Sequence, residues 1–90
     1  MGSIYTSQHT LGTAVVSITR MHNEAIHVVV HNPSKTSNTK IFLGTSSLSL
    51  TTGLHLDSDQ LLSIDLPAET QLFAISDPVG LVVEVLEVRP

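Results

Sequence analysis

IFLGTSSLSLTTGLHLDSDQLLSIDL, residues 41–66, holds two strand-like runs joined by a polar, glycine-marked excursion. Ile41 and Leu43 alternate with Phe42 until Gly44 interrupts, and Leu62, Ile64 and Leu66 alternate with Ser63 and Asp65 until Pro67 ends the run. A two-residue period is that of a half-buried strand. Between them lies TSSLSLTTGLHLDSDQ, a Ser/Thr-rich stretch with Gly53 that reads as a long loop with short extended pieces at Leu48, Leu50, Leu54 and Leu56.

Outward from this stretch the same period recurs. Residues 1–12 are polar and are expected to form a flexible arm or loose strand around Ile4 and Tyr5, with residues 13–90 a single β domain. TAVVSIT, residues 13–19, sets Ala14, Val16 and Ile18 on an expected core face. AIHVVVH, residues 25–31, sets Ile26, Val28 and Val30 against His27, Val29 and His31, and Asn32-Pro33 stops it. The polar SKTSNT that follows predicts a hairpin into residues 40–43. QLFAIS, the turn Asp77-Pro78-Val79-Gly80 and LVVEVLEV complete the chain. No helix-period stripe of useful length appears, so the predicted fold is all-β, a small antiparallel β-sandwich or β-barrel of six to seven short strands.

A chain of 90 residues without cysteine has neither disulfides nor cysteine zinc sites to supplement a small core. Association with other copies is the expected supplement. Aromatics are 3% of a chain that is 41% hydrophobic, so the core must be aliphatic. The net charge is −4, and Arg20, Lys35, Lys40 and Arg89 are too scattered to track phosphates, which argues against nucleic-acid binding. No apolar run approaches the roughly 20 residues that span a bilayer, and MGSIYTSQHT lacks the regions of a signal peptide. No membrane partner and synthesis in the cytosol are therefore expected.

The tests for chemistry return structural readings. His27 and His31 have helical ligand spacing, but four residues along a strand separate them by roughly 13 Å, too far to share an ion. Asp57 and Asp59 lack the glycine and terminal glutamate of a calcium loop. There is no serine elbow or phosphate loop, and Glu84 and Glu87 sit in an apolar strand without a partner base. No catalytic residue, cofactor or metal site is predicted, and the protein is expected not to be an enzyme. What stands out is apolar residues on outer faces: Val29 opposite Val28 and Val30, Phe42 opposite Ile41 and Leu43, Leu86 opposite Val83 and Val85. Such a set marks an association surface. Val29, Phe42, Phe73 and Leu86 are the expected contacts, with Ile4 and Tyr5 on an arm that reaches a neighbour.

The segments IHVVVHN, KIFLG with its Ser/Thr-rich loop to Gly53, the Leu-rich strand, PAETQLFAIS and LVVEVLEV resemble a group of small bacteriophage virion structural proteins. That pattern has a second glycine after the position of Gly44 and one near Ser58, where this chain has Thr45 and Ser58. The resemblance implies a capsid decoration or cement protein, assembled in the host cytoplasm into the virion. It would bind the major capsid protein as a homo-oligomer, often a trimer, and stabilise the shell. The alternative is a tail or fibre module whose loop binds a cell-surface glycan, although that loop has no Phe, Tyr or Trp to stack on a sugar.

Overall fold

The computed structural model describes residues 2–48, 54–77 and 79–90. Eight strands form: β1 (Ser3–Thr10), β2 (Val16–Ser17), β3 (Ile26–His31), β4 (Lys40–Gly44), β5 (Leu54–Leu56), β6 (Leu61–Leu66), β7 (Phe73–Asp77) and β8 (Val82–Arg89). They make two antiparallel four-stranded sheets, β1-β8-β3-β6 and β2-β7-β4-β5, packed as a small β-sandwich. The strand count exceeds the expected six to seven because the long excursion contributes β5, and the N-terminal segment, expected as a flexible arm or loose strand, pairs with β8 along the whole of β1.

The aliphatic core lies between the sheets. Ile26, Val28 and Val30 of β3, with Val83 and Val85 of β8 and Leu66 of β6, meet Ile41 and Leu43 of β4, Leu56 of β5 and Ala74 of β7. Alternation in the sequence makes this layer directly, since every second side chain of a strand shares a face. Leu11, Ile18 and Leu72, from segments outside the strands, close the ends of the core.

Two expectations change. The run 13–19 is not one strand that buries Ala14, Val16 and Ile18. Only Val16–Ser17 pairs, with Ala74 and Phe73, while Ala14 and Val16 are exposed and Ile18 alone enters the core. Val16 stands opposite buried Ala74 but on an edge strand, so its side chain stays exposed; Thr19 anchors the end of the segment, its hydroxyl accepting the Leu72 N–H at 3.0 Å and its carbonyl accepting the Ser17 hydroxyl at 2.8 Å. The second change is that β3 and β4 do not form a hairpin. They lie in opposite sheets, and the connection crosses the sandwich. Buried Asn32 holds that crossing: its amide donates to the Leu56 and Asp57 carbonyls at 3.4 and 3.1 Å, and its side-chain oxygen accepts the Ser34 N–H at 3.2 Å. Of consecutive strands among the described residues, β4 and β5 pair directly; each other connection changes sheets.

Candidate interaction surface

The outer face of the β1-β8-β3-β6 sheet is fixed by register. Thr6, Leu86, Val29 and Ser63 stand side by side across the strands, flanked on one side by Gln8, Glu84, His31 and Leu61, and on the other by Ile4, Val88, His27 and Asp65. The middle row is an apolar bar of Leu86 and Val29, both half-buried, on the floor of a shallow depression of about 490 Å³ that is also lined by Thr6, Gln8, His31 and Glu84. Ile4 is 69% exposed at one end of the face and Leu61 is 61% exposed at the other.

The flanking rows are built from histidine and carboxylate. His31 donates through Nδ1 to Glu84 Oε1 at 2.9 Å and through Nε2 to Asp59 Oδ1 at 3.0 Å, and Gln8 Nε2 donates to Glu84 Oε2 at 3.2 Å. Two carboxylates on both nitrogens favour the imidazolium, chiefly through the Glu84 hydrogen bond, and hold His31 above its ordinary range. The same bonds from His31 hold Glu84 and Asp59 below theirs, Asp59 with help from Lys35. The other row is different in kind. His27 Nδ1 donates to Asp65 Oδ1 at 2.8 Å, and Ser63 Oγ stands 2.6 Å from His27 Nε2. Because Nδ1–H faces a carboxylate, the neutral ring leaves Nε2 free to accept the Ser63 hydroxyl proton. The sequence alone does not join these residues, although Ser63 and Asp65 are alternate positions on β6. The signal was a Ser-x-Asp pair placed by register against a histidine on the neighbouring strand.

Of the six residues expected at contacts, the sheet brings Ile4, Val29 and Leu86 onto this one face. Tyr5 points the other way, toward the mouth of the sandwich, where the Arg20 guanidinium lies 3.6 Å from its ring centre. Phe42 and Phe73 lie on the outer side of the other sheet. The expectation that Phe42 presents itself to a neighbour is corrected: Phe42 is 9% exposed and packs with Leu48, Ile75 and Val15 of its own chain, and its ring sits 5.6 Å from that of His55. Alternation correctly put Phe42 outside the main core, but the segments before β2 and after β4 fold over it. Phe73 remains half-buried there.

Glu87 differs from every other carboxylate. Its side chain turns into the sandwich and is 1% exposed. His22 Nε2 donates to its Oε1 at 2.8 Å, the Arg20 backbone N–H donates to the same oxygen at 3.3 Å, and the Arg20 guanidinium stands 3.9 Å from Oε2. Oε2 has no hydrogen-bond partner among the described residues. His22 and Arg20 are thus the partner that sequence alone did not find for Glu87. Asp57 and Asp59 face His55 and His31 respectively and do not converge, and no group of three metal-ligating side chains occurs among the described residues.

No family model matches the chain, and no curated protein sequence matches it. The fold is similar to that of a solved protein of Bacillus endospore appendages, described as a novel family of disulfide-linked pili, with a TM-score of 0.65 over 99% of this chain and 85% of that one. At 6% identity the likeness is one of fold, and this chain has no cysteine with which to form a disulfide link.

Proposed function

We propose that the protein is a structural subunit that works by association with further copies of itself. The observation that carries this reading is the free edge of β1. It is eight residues long, SIYTSQHT, and contains no Lys, Arg, Asp, Glu or Pro. Natural edge strands are commonly short, charged, interrupted by proline or covered, because an open ladder recruits other chains. The edges of the opposite sheet follow that rule, with β2 and β5 only two and three residues long. β1 does not, and it offers its outer backbone groups beside exposed Ile4 and Tyr5.

In a closed ring of three copies, β1 would meet a different strand of the next copy, since pairing β1 with itself gives only a two-fold dimer. The free edge of β6, at the far side of the same sheet, is the geometrically suited partner. The resemblance to virion proteins supplies the setting: a capsid surface on which the oligomer bridges subunits and slows shell opening through buried area alone.

Native mass measurement across a concentration series tests the association. The expected result is a discrete oligomer that Thr6→Lys, an exposed substitution on β1, converts to a folded monomer. A wild-type chain that stays monomeric at high concentration sinks the reading. Mixing with isolated capsids tests the setting, with saturation at a fixed symmetric stoichiometry and a raised disruption temperature expected. Binding to host cells instead would favour glycan recognition.

A further inference from the structure

Four histidines besides His22 lie at the surface, and their partners divide them by chemistry. His31 has a carboxylate on each nitrogen and is an ion-pair bridge. His55 faces Asp57 at 3.1 Å, and His9 faces the Ser7 hydroxyl at 3.1 Å. His27 alone among the described residues combines a carboxylate on Nδ1 with a serine hydroxyl on Nε2. This is the connectivity in which a histidine draws the proton from a serine while a carboxylate fixes its tautomer and balances the imidazolium that forms.

We propose that Ser63, His27 and Asp65 form a nucleophile, base and orienting carboxylate that take an acyl group from an activated ester or thioester. The register supplies the rigidity. His27 and Asp65 are directly opposite each other on β3 and β6, and Ser63 is the next residue of β6 on the same face. All lie on paired strands, whose backbones are held more tightly than those of loops. Ser63 stands directly across from Val29, and Val29 across from Leu86, so an aliphatic acyl chain has an apolar bar beside the hydroxyl on which to rest. The face is open, with the His27 side chain 45% and the Asp65 side chain 89% exposed, and an ester reaches it without any rearrangement.

In the step, a lone pair of Ser63 Oγ adds to the acyl carbonyl carbon as the hydroxyl proton passes to His27 Nε2. The tetrahedral adduct then breaks its bond to the alcohol or thiol leaving group, which departs with the proton returned by His27. Ser63 is left as an ester and the leaving group as a free alcohol or thiol. Water can repeat the sequence, releasing the carboxylic acid and restoring Ser63. This chemistry goes beyond a structural role and does not depend on it: the Ser63, His27 and Asp65 side chains stand on the outer face of the sheet, whereas the proposed association uses the backbone edges of β1 and β6.

The test uses the full chain with p-nitrophenyl acetate and butyrate and with a fluorophosphonate probe, followed by peptide mapping. Ser63 should carry the adduct, forming on the order of 10²-fold faster than at the other exposed serines, as general-base assistance provides. The butyrate should react faster than the acetate. His27→Gln should bring Ser63 down to the level of the other serines. Asp65→Asn should lower its rate by roughly tenfold, less than in a buried triad because water reaches this carboxylate. Asp65 is exposed, so the second variant gives the comparison even if the first fails to fold. Adducts spread evenly over the serines, or a Ser63 rate unchanged in Asp65→Asn, would overturn the proposal. Neither result bears on the oligomeric state, and a monomer that still labels at Ser63 would overturn only the association.

Discussion

His22→Ala should cost this protein far more than Glu87→Gln, although both alter the same contact. Glu87 is a carboxylate at 1% exposure on the inward face of β8, and the His22 imidazole, at 8%, is its nearest donor at 2.8 Å. Removing His22 leaves the carboxylate with a weaker set: one backbone N–H at 3.3 Å and a guanidinium 3.9 Å from the oxygen that has no hydrogen-bond partner among the described residues. A lost hydrogen bond to a buried charge costs about 1.5–3 kcal/mol, and stripping one partner from a buried pair costs about 3–5 kcal/mol. Because Arg20 stays, the lower end of the second range applies, about 3 kcal/mol. For a domain of this length the unfolding entropy makes that a fall in Tm of roughly 15 °C. Glu87→Gln instead removes the charge itself. Its amide oxygen still accepts from His22 and from the Arg20 N–H, and the loss of attraction to Arg20 is offset by relief of desolvation, so about 1 kcal/mol or less should be lost. Thermal and urea unfolding of the two variants decide the matter. Equal losses, or a greater loss in Glu87→Gln, would refute the idea that the strain resides in an under-partnered charge.

Three further outcomes are expected. Phe42→Ala should lower stability by about 3–4 kcal/mol through the cavity left among Leu48, Ile75 and Val15; Phe42→Asp should unfold the domain rather than dissociate it, as loss of the β-sheet circular dichroism signal would reveal. Asn32→Ala should cost about 2–3 kcal/mol in urea unfolding, since it strips partners from the Leu56 and Asp57 carbonyls and the Ser34 N–H where the chain crosses the sandwich. The His31 bridge should be pH-dependent on both sides. A raised imidazole contributes fully below its ordinary 6.5 and loses its contribution as pH rises through the raised value, while the lowered Glu84 and Asp59 contribute above their ordinary 4.5 and 3.8 and lose theirs as pH falls through the lowered values. The Tm difference between wild type and His31→Gln should therefore be larger at about pH 5.5 than at about pH 9; a difference independent of pH would remove the bridge from the account.

Much of the sandwich was legible because period two is a local property. Ile26, Val28 and Val30, then Ile41 and Leu43, then Val83 and Val85 announce a buried face without knowledge of any partner, and each is in the core. Residues 13–19 misled for the same reason: Ala14, Val16 and Ile18 alternate as well as any strand, but only Val16–Ser17 pairs, at the edge of a sheet, and of the three apolar residues only Ile18 is buried. Leu50, expected as part of an extended piece, lies outside the described residues.

Alternation along the chain is enough to give an all-β domain with an aliphatic core, strands near residues 25–31, 40–43, 60–66 and 81–88, and apolar side chains beyond that core. It could do so because burial of alternate side chains is written along one strand at a time. Which strands are neighbours is a matter of the folded sheets, and the side-chain chemistry follows from it. Register set His27 against Asp65 and Ser63, and His31 against Glu84, while the crossing of β3 to β4 and the fold of the chain over Phe42 closed one outer face and left the other open. The contacts of His27 with Asp65 and Ser63 and of His31 with Glu84 join residues more than thirty positions apart, held by ladders that no local pattern encodes.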